Sequence, residues 1–269
     1  MSDSGLLPTS MTRLPSVEDL AATYNTPAYA DPMEAVEDYR QYQREWADTQ
    51  LGSHAVSTRM ELPRGRIRSW EDGSRPDVVN GIETAREHGW LECAIDGEIF
   101  GALNRLVAGV FSGGSISVET FEPSYSAPDD LVDSQLRSDL ETLGVGSRVA
   151  LSNSGNVEEI RPESDASVLG RVLVALGAPA GEKAGVVERL PSYLYRHPDE
   201  TKREFARVYV ANRATDRRDR DFMQIREERS DRYLDAVAAL LRETTGVKVW
   251  RGDRTVRFRK AGLRALGLD

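Results

Sequence analysis

At 269 residues the chain is long enough for two domains, and 44 acidic against 35 basic residues give a net charge of −9. That balance argues against nonspecific polyanion binding but leaves room for a local DNA-binding face. A single cysteine, Cys93, excludes an intrachain disulfide and a cysteine zinc site, and His54, His88 and His197 stand outside the usual metal-ligand spacings.

No apolar run approaches the ~18 residues needed to span a bilayer. The opening MSDSGLLPTSMTRLPSVEDL lacks the basic start and apolar core of a secretory signal, so a soluble, cytoplasmic protein is expected. Only four of the basic residues are lysine: Lys183, Lys202, Lys248 and Lys260. Abundant Asp and Glu with Arg in place of Lys fits a salt-loaded halophile such as a haloarchaeon; a GC-rich genome, which also favours Arg and Ala, is the alternative.

Residues 1–32 mix Ser, Thr, Pro and Asp with few apolar residues and read as a flexible arm, with a short helix at 17–23. From Asp31 a cap followed by Pro32 opens a helix of about five turns, with Val36, Tyr39, Tyr42 and Trp46 as its apolar stripe. Two shorter helices follow, Ser53 to Met60 and RGRIRSWED, separated by Glu61-Leu62-Pro63. Ala55, Val56, Leu62, Ile67 and Trp70 are the anchors of a helix-turn-helix, which leaves Arg64, Arg66, Arg68 and Ser69 on the outer face. Arg suits bidentate pairing with guanine or contact with phosphate. This stretch resembles homeodomain-like resolvase and transposase modules; the other reading is a small helical bundle with a solvated Arg face. A further helix carries Val78, Val79, Ile82 and Ala85, and Gly89 ends it. Residues 33–91 are therefore assigned to a DNA-binding domain and 92–269 to a second one.

The second domain is organised around LNRLVAGVFSGGSI, Leu103 to Ile116. An apolar helix with Leu103, Leu106, Val107 and Val110 on one face ends in Ser112-Gly113-Gly114 and passes into a strand predicted over Ser115–Phe121. About a hundred residues later, LPSYLYRHPDETKREFARVYVANRA repeats the layout. Between them lie a helix over 128–144 with Leu131, Leu136, Leu140 and Leu143 as its apolar face, a hairpin turning at Asn-Ser-Gly-Asn (153–156) that pairs Val149 and Leu151 with Val157 and Ile160, and a helix over 168–176. After the second long helix come a strand over 221–227, a helix over 231–244 and a hairpin turning at Gly252-Asp253.

Leu106–Ile116 and Glu204–Thr215 resemble the two signature helices of the LAGLIDADG homing endonucleases, with Glu204, Phe205 and Arg207 where that family's second motif has its Glu, Phe and Arg. The resemblance covers roughly residues 92–269. It implies an α+β chain: an N-terminal all-α helix-turn-helix domain, then a LAGLIDADG-like pseudo-two-fold domain of αββαββα type. It also implies one metal-binding carboxylate from each helix end. Here those positions fall on Gly113 and Arg213, and neither 110–115 nor 206–215 contains Asp or Glu. Mg²⁺ requires hard oxygen ligands, so the nuclease reads as lost, with no metal, no cofactor and no catalytic residue.

In the last hairpin Lys248, Arg257 and Arg259 alternate with Val247, Val249, Val256 and Phe258. The alternation predicts an apolar face on the helices and a basic face outward. In the resembled fold that face lies along the DNA major groove; a solvated surface is the other reading. Arg213, Arg217, Arg218 and Arg220 interleave with Asp216, Asp219 and Asp221, the pattern of a loop with its own ion pairs. Neither a phosphate loop nor a dinucleotide fingerprint is present. Ser112 and Ser115 have no assignable His base, and Asp129-Asp130 and Glu158-Glu159 read as surface acids.

The expected function is non-enzymatic, sequence-specific binding of double-stranded DNA, as in a transcriptional regulator, with Arg64, Arg66, Arg68, Ser69, Lys248, Arg257 and Arg259 on the DNA. The combination resembles in its logic the bacterial WhiA regulators, which carry their helix-turn-helix at the C-terminus. The alternatives are an active or remnant endonuclease, and a regulator whose second domain binds a ligand, a protein partner or a second copy.

Overall fold

In the computed structural model, residues 13–48, 52–151, 158–216 and 220–269 are described. The chain begins with β1 (Arg13–Leu14) and α1 (Val17–Ala21). Ser16 and Asp19 form a reciprocal capping box at α1, which satisfies donors that the first helical turn leaves open. Val17, Leu20 and Ala21 are buried.

Residues 13–32 are thus packed, where sequence composition assigns a flexible arm. β1 pairs with β2 (Cys93–Ala94), and Tyr24 lies against Gly81, where a Cβ would collide with its hydroxyl. The Arg171 guanidinium is sandwiched between Tyr24 and Phe121, 4.1 and 3.8 Å from the ring centroids, and donates to the Thr23 carbonyl. None of these partners is local in sequence, so composition alone could not reveal them.

The helical unit comprises α2 (Pro32–Asp48), α3 (Ser53–Met60), α4 (Arg64–Glu71) and α5 (Asp77–Glu87). Val36, Tyr39 and Tyr42 of the α2 stripe are buried, and Tyr39 meets Trp70 edge to face at 5.4 Å. Trp46 is left 41% exposed at the end of that stripe. Of the expected anchors, Val56, Ile67 and Trp70 are buried and Leu62 packs on the core, whereas Ala55 is exposed.

The remainder runs α6 (Glu98–Ser112), β3 (Ser115–Ile116), β4 (Pro123–Ser124), α7 (Asp130–Thr142), β5 (Ser147–Leu151), β6 (Glu158–Pro162) and α8 (Ala166–Ala175). After a 3-10 turn at Ser192–Tyr195 it runs α9 (Asp199–Arg213), β7 (Ala214–Asp216), β8 (Phe222–Arg226), α10 (Asp231–Thr245), β9 (Val249–Gly252), β10 (Thr255–Arg259) and α11 (Ala261–Ala265). The order αββαββα therefore occurs twice. The second sheet has strand order β7-β8-β10-β9. In the first half an antiparallel bridge between Tyr125 and Ile160 joins β3-β4 to β6-β5, which gives the same order in smaller pieces. The architecture is α+β, as expected.

Helices α6 and α9 pack along their length in parallel. Asn104 donates to the Thr201 carbonyl at 3.0 Å, Arg105 pairs with Glu204 at 2.9 Å, and Asn212 donates to Ser112 at 3.1 Å. Deep in the pair, Tyr193 donates to Asn104 Oδ1.

Three local expectations are corrected. The strand over Ser115–Phe121 stops at Ile116, because the Ser117 hydroxyl accepts from the Glu119 and Thr120 amides and Phe121 turns with φ 57°. Side-chain to backbone bonds of this kind compete with a strand ladder. On α7, Leu131 points outward, and Val132, Leu136 and Leu140 form the buried face. Leu151 stands opposite Glu158, while Val149 opposes Ile160. The 153–156 turn and Val157 lie outside the described residues.

Gly170 on α8 is a strict requirement of this packing, since a Cβ there would sit 1.7 Å from the Phe121 carbonyl oxygen. Gly170→Ala should destabilise the fold by about 1–3 kcal/mol in urea denaturation. Gly65→Ala, on an open helix surface, should be neutral or stabilising by up to about 1 kcal/mol. Equal midpoints for wild type and Gly170→Ala would show that α8 does not cross here.

Candidate nucleic-acid interface

The turn between α3 and α4 is built by Glu61 in the left-handed region (φ 56°) and by Ser57, whose hydroxyl donates to the Leu62 carbonyl at 2.6 Å. Pro63 precedes α4 and has no amide proton to leave unsatisfied. With Ile67 and Trp70 buried, helical periodicity turns Arg64, Gly65, Arg68 and Ser69 to solvent on one face. The Ser69 hydroxyl donates back to the Gly65 carbonyl at 3.1 Å.

Arg66, grouped with that face by sequence spacing, is held elsewhere. Its guanidinium lies 4.6 Å from the Tyr29 ring centroid, donates to the Tyr29 hydroxyl at 2.7 Å and approaches Asp38 at 3.9 Å, with 24% of the side chain exposed. Tyr29 in turn donates to Asp38 at 2.8 Å, and burial together with that hydrogen bond pushes its hydroxyl up to about 12. Arg66 thus ties α4 to the segment before α2, because a residue adjacent to buried Ile67 lies close enough to the core for a long side chain to turn inward.

The second basic face is the outer surface of the β7-β8-β10-β9 sheet. Register places Thr215, Gln224, Arg257 and Trp250 in one row across the four strands, with Phe222 opposite Arg259. Of the opposite parity, Met223, Ile225, Val249, Val256 and Phe258 are buried, and Arg251 pairs with Asp231 and Asp235 of α10. Arg257 lies 5.6 Å from the Phe222 ring and donates to Gln224 at 3.3 Å. Lys248 and Arg259 flank the Trp250 ring at 5.3 and 6.0 Å. Arg259 also pairs with Asp221 at 2.6 Å. The expected alternation therefore brings Lys248, Arg257 and Arg259 together. Sequence reasoning missed Phe222 and Trp250, which the same period of two places on that face. In the first half the corresponding β5–β6 hairpin is closer to neutral, with Arg161 and Glu159 paired at 2.8 Å.

Between the two sheets the C-termini of α6 and α9 converge. At the positions where the resembled endonucleases carry acids, Gly113 has no side chain and faces Asn212, and Arg213 donates to Glu227 at 3.0 and 3.1 Å. Glu227 is buried and also accepts from Tyr209 at 2.5 Å. It follows a strand directly and carries no distinguishing local signal, so sequence reading passed over it. Lys183 donates to the carbonyls of Val110 and Gly114, and Arg229 to that of Phe111 at 2.6 Å. Burial and the neighbouring Arg229 bring Lys183 down to about 8.

Other candidates have structural partners. Asp129 caps α7 by accepting from the Val132 amide, Ser112 donates to the Ala108 carbonyl, and Ser115 bonds to Ser124. The Cys93 thiol, pushed up to about 11 by burial, is a poor nucleophile. In the 213–221 segment, Asp216 pairs with Lys260 at 2.6 Å, and Arg217 and Arg218 lie outside the described residues.

No protein-family model matches the chain, and no curated protein matches it. Among solved structures, full-length DUF199/WhiA from Thermatoga maritima is similar at 12% identity with a TM-score of 0.44. The match covers 69% of this chain and 61% of that one, so less than two thirds of the solved protein's length is spanned. No helix among the described residues is long and apolar enough to cross a membrane.

The inward and outward arginines of α4 should separate experimentally. Arg66→Ala removes a cation–π contact and two polar contacts and should cost about 1–2 kcal/mol in urea denaturation. Arg64→Ala and Arg68→Ala should leave the midpoint within about 0.5 kcal/mol of wild type. A silent Arg66→Ala would mean that its contact with Tyr29 does not persist in solution.

Proposed function

We propose that the protein is a sequence-specific DNA-binding protein without nuclease activity, acting as a transcriptional regulator, and that its two halves are a helix-turn-helix unit and a degenerate LAGLIDADG-like domain. The observation that carries the reading is the face of α4, where Arg64, Arg68 and Ser69 stand exposed around an open Gly65 while Ile67 and Trp70 anchor the helix from behind. A helix of this build offers two guanidiniums to base edges or phosphates in a major groove. The doubled αββαββα order and the parallel α6–α9 pair support the LAGLIDADG-like assignment.

In this reading the outer sheet face supplies phosphate contacts from Lys248, Arg257 and Arg259, with Trp250 and Phe222 as flat apolar surface between them. The non-enzymatic assignment rests on the centre of the domain: Gly113 offers no ligand, and Arg213, Lys183 and Arg229 would repel a divalent cation.

The test is selection of duplexes from a randomised pool by the full chain, followed by affinity measurements on the selected site over a range of salt. Arg64→Ala or Arg68→Ala should relax base preference at one position, at a cost of about 1–3 kcal/mol. Arg257→Ala or Arg259→Ala should weaken all sequences alike and lower the salt slope by about one. Supercoiled plasmid with Mg²⁺ should remain uncut. Selection of no motif would sink the regulator reading, and nicking would sink the non-enzymatic one.

A further inference from the structure

Beside the converging helix ends lies an open pocket of about 540 Å³, lined by Ser112, Lys183, Arg213, Arg226, Arg229 and three glutamates, Glu182, Glu227 and Glu228. Two of the carboxylates are already engaged. Glu227 is held by Arg213 and Tyr209 and lies 3.7 Å from Arg229 Nε, whose charge it offsets, and Glu228 stands 3.8 Å from Arg254. The carbonyls at the end of α6 account for the Lys183 ammonium and for Nη2 of Arg229. They do not account for Nη1 of Arg229. That side chain is only 6% exposed, lies 4.4 Å from the Tyr233 ring centroid, and has no hydrogen-bond partner for this nitrogen. A buried cationic donor without an acceptor is costly, and an anion is the natural group to satisfy it.

We infer that this pocket binds a phosphate group, with Arg229 Nη1 and Lys183 as its buried donors and Arg213 and Arg226 at its mouth. Phosphate supplies several strong acceptor oxygens to a fork of guanidinium and ammonium donors. The volume lies in the range of small-ligand sites, so a phosphate ester fits as well as the free ion. Arg226 alternates with Gln224 and Phe222 on β8 and so shares the outward face of the sheet, which makes the pocket continuous with the basic surface there. The ligand has two sources in the same chemistry, a backbone phosphate of bound DNA or a free phosphate ester. The inference does not depend on the DNA-binding proposal.

The test is thermal unfolding and calorimetric titration of the full chain with inorganic phosphate at pH 7, against chloride at matched ionic strength. Wild type should be stabilised by phosphate, and Lys183→Gln and Arg229→Lys should each weaken phosphate binding on the order of tenfold. Arg75→Gln, at a residue that pairs with Glu83 on α5 away from the pocket, should leave it unchanged. Sulfate, whose charge is constant from pH 7 to 9, should bind less well as pH rises through about 8, where Lys183 loses its proton. No stabilisation over chloride, or stabilisation that survives in both pocket variants, would overturn the site; a flat sulfate response across that range would remove Lys183 from it. Competition between phosphate and a selected duplex would assign the pocket to the DNA backbone. Undiminished phosphate binding beside bound duplex would assign it to a free ester. If no duplex is selected at all, the phosphate titration still decides the inference.

Discussion

The parallel packing of α6 on α9 is the constraint from which the rest of the molecule follows. Two parallel helices bring two sets of unsatisfied C-terminal carbonyls, and two negative dipole ends of about half a charge each, to the same place. That arrangement needs positive charge. The chain supplies it from outside the pair: Lys183 comes from the loop after α8, and Arg229 from the turn between β8 and α10. Arg213 ends α9 itself and fixes Glu227 beneath it. A cationic centre therefore has a physical reason in the fold, and it lies where a metal-dependent nuclease of the resembled family would gather acids.

The two halves share an order of elements but differ in what their sheets present. In the second half, β8, β9 and β10 have five, four and five residues, and their inward positions hold buried Met223, Ile225, Val249, Val256 and Phe258, with Arg251 paired to Asp231 and Asp235 of α10. In the first half β3 and β4 have two residues each, and the link to β6 is a single bridge at Tyr125. Its outward residues neutralise one another, as Arg161 and Glu159 do. A near-neutral sheet has little to offer a polyanion, so a duplex lying across both halves would be gripped unevenly, chiefly by Lys248, Arg257 and Arg259.

This difference also explains what was legible in the sequence. The long helices and the last hairpin were visible because their periodicity is carried by buried residues such as Leu103, Leu106, Val256 and Phe258, whose spacing is fixed by the element itself. The short strands of the first half were not, since two residues show no period and Ser117 diverts the backbone into a turn. The arm at 13–32 was misread because its partners stand far away in sequence: Arg171 reaches Thr23 across 148 positions. In the candidate interface, Arg64, Arg68, Arg257 and Arg259 were readable from alternation or helical spacing. Arg66 failed because the pattern gives the direction of a Cβ and not where a long side chain ends. Glu227 and the cations around it failed because four segments of chain assemble them.

The packed N-terminal segment has a consequence for how the two basic faces act. α1 lies between α5 and α8, Arg171 is stacked between Tyr24 and Phe121, Trp90 donates to the Leu143 carbonyl, and His88 meets Asp165 at 3.0 Å. These contacts run from the helical unit into the α+β unit at several separate points, with Tyr24, Trp90 and Leu143 buried, so the outward face of α4 and the outer sheet are borne on one continuous core. A flexible joint would let each face bind alone and gain from the other only through effective concentration. A shared core instead fixes their separation, so a nucleic acid that engages both must itself have, or be bent to, the matching shape. In the proposed DNA-binding role, sequence-dependent deformability would then add to the base preference assigned to Arg64 and Arg68, at base pairs that neither face touches.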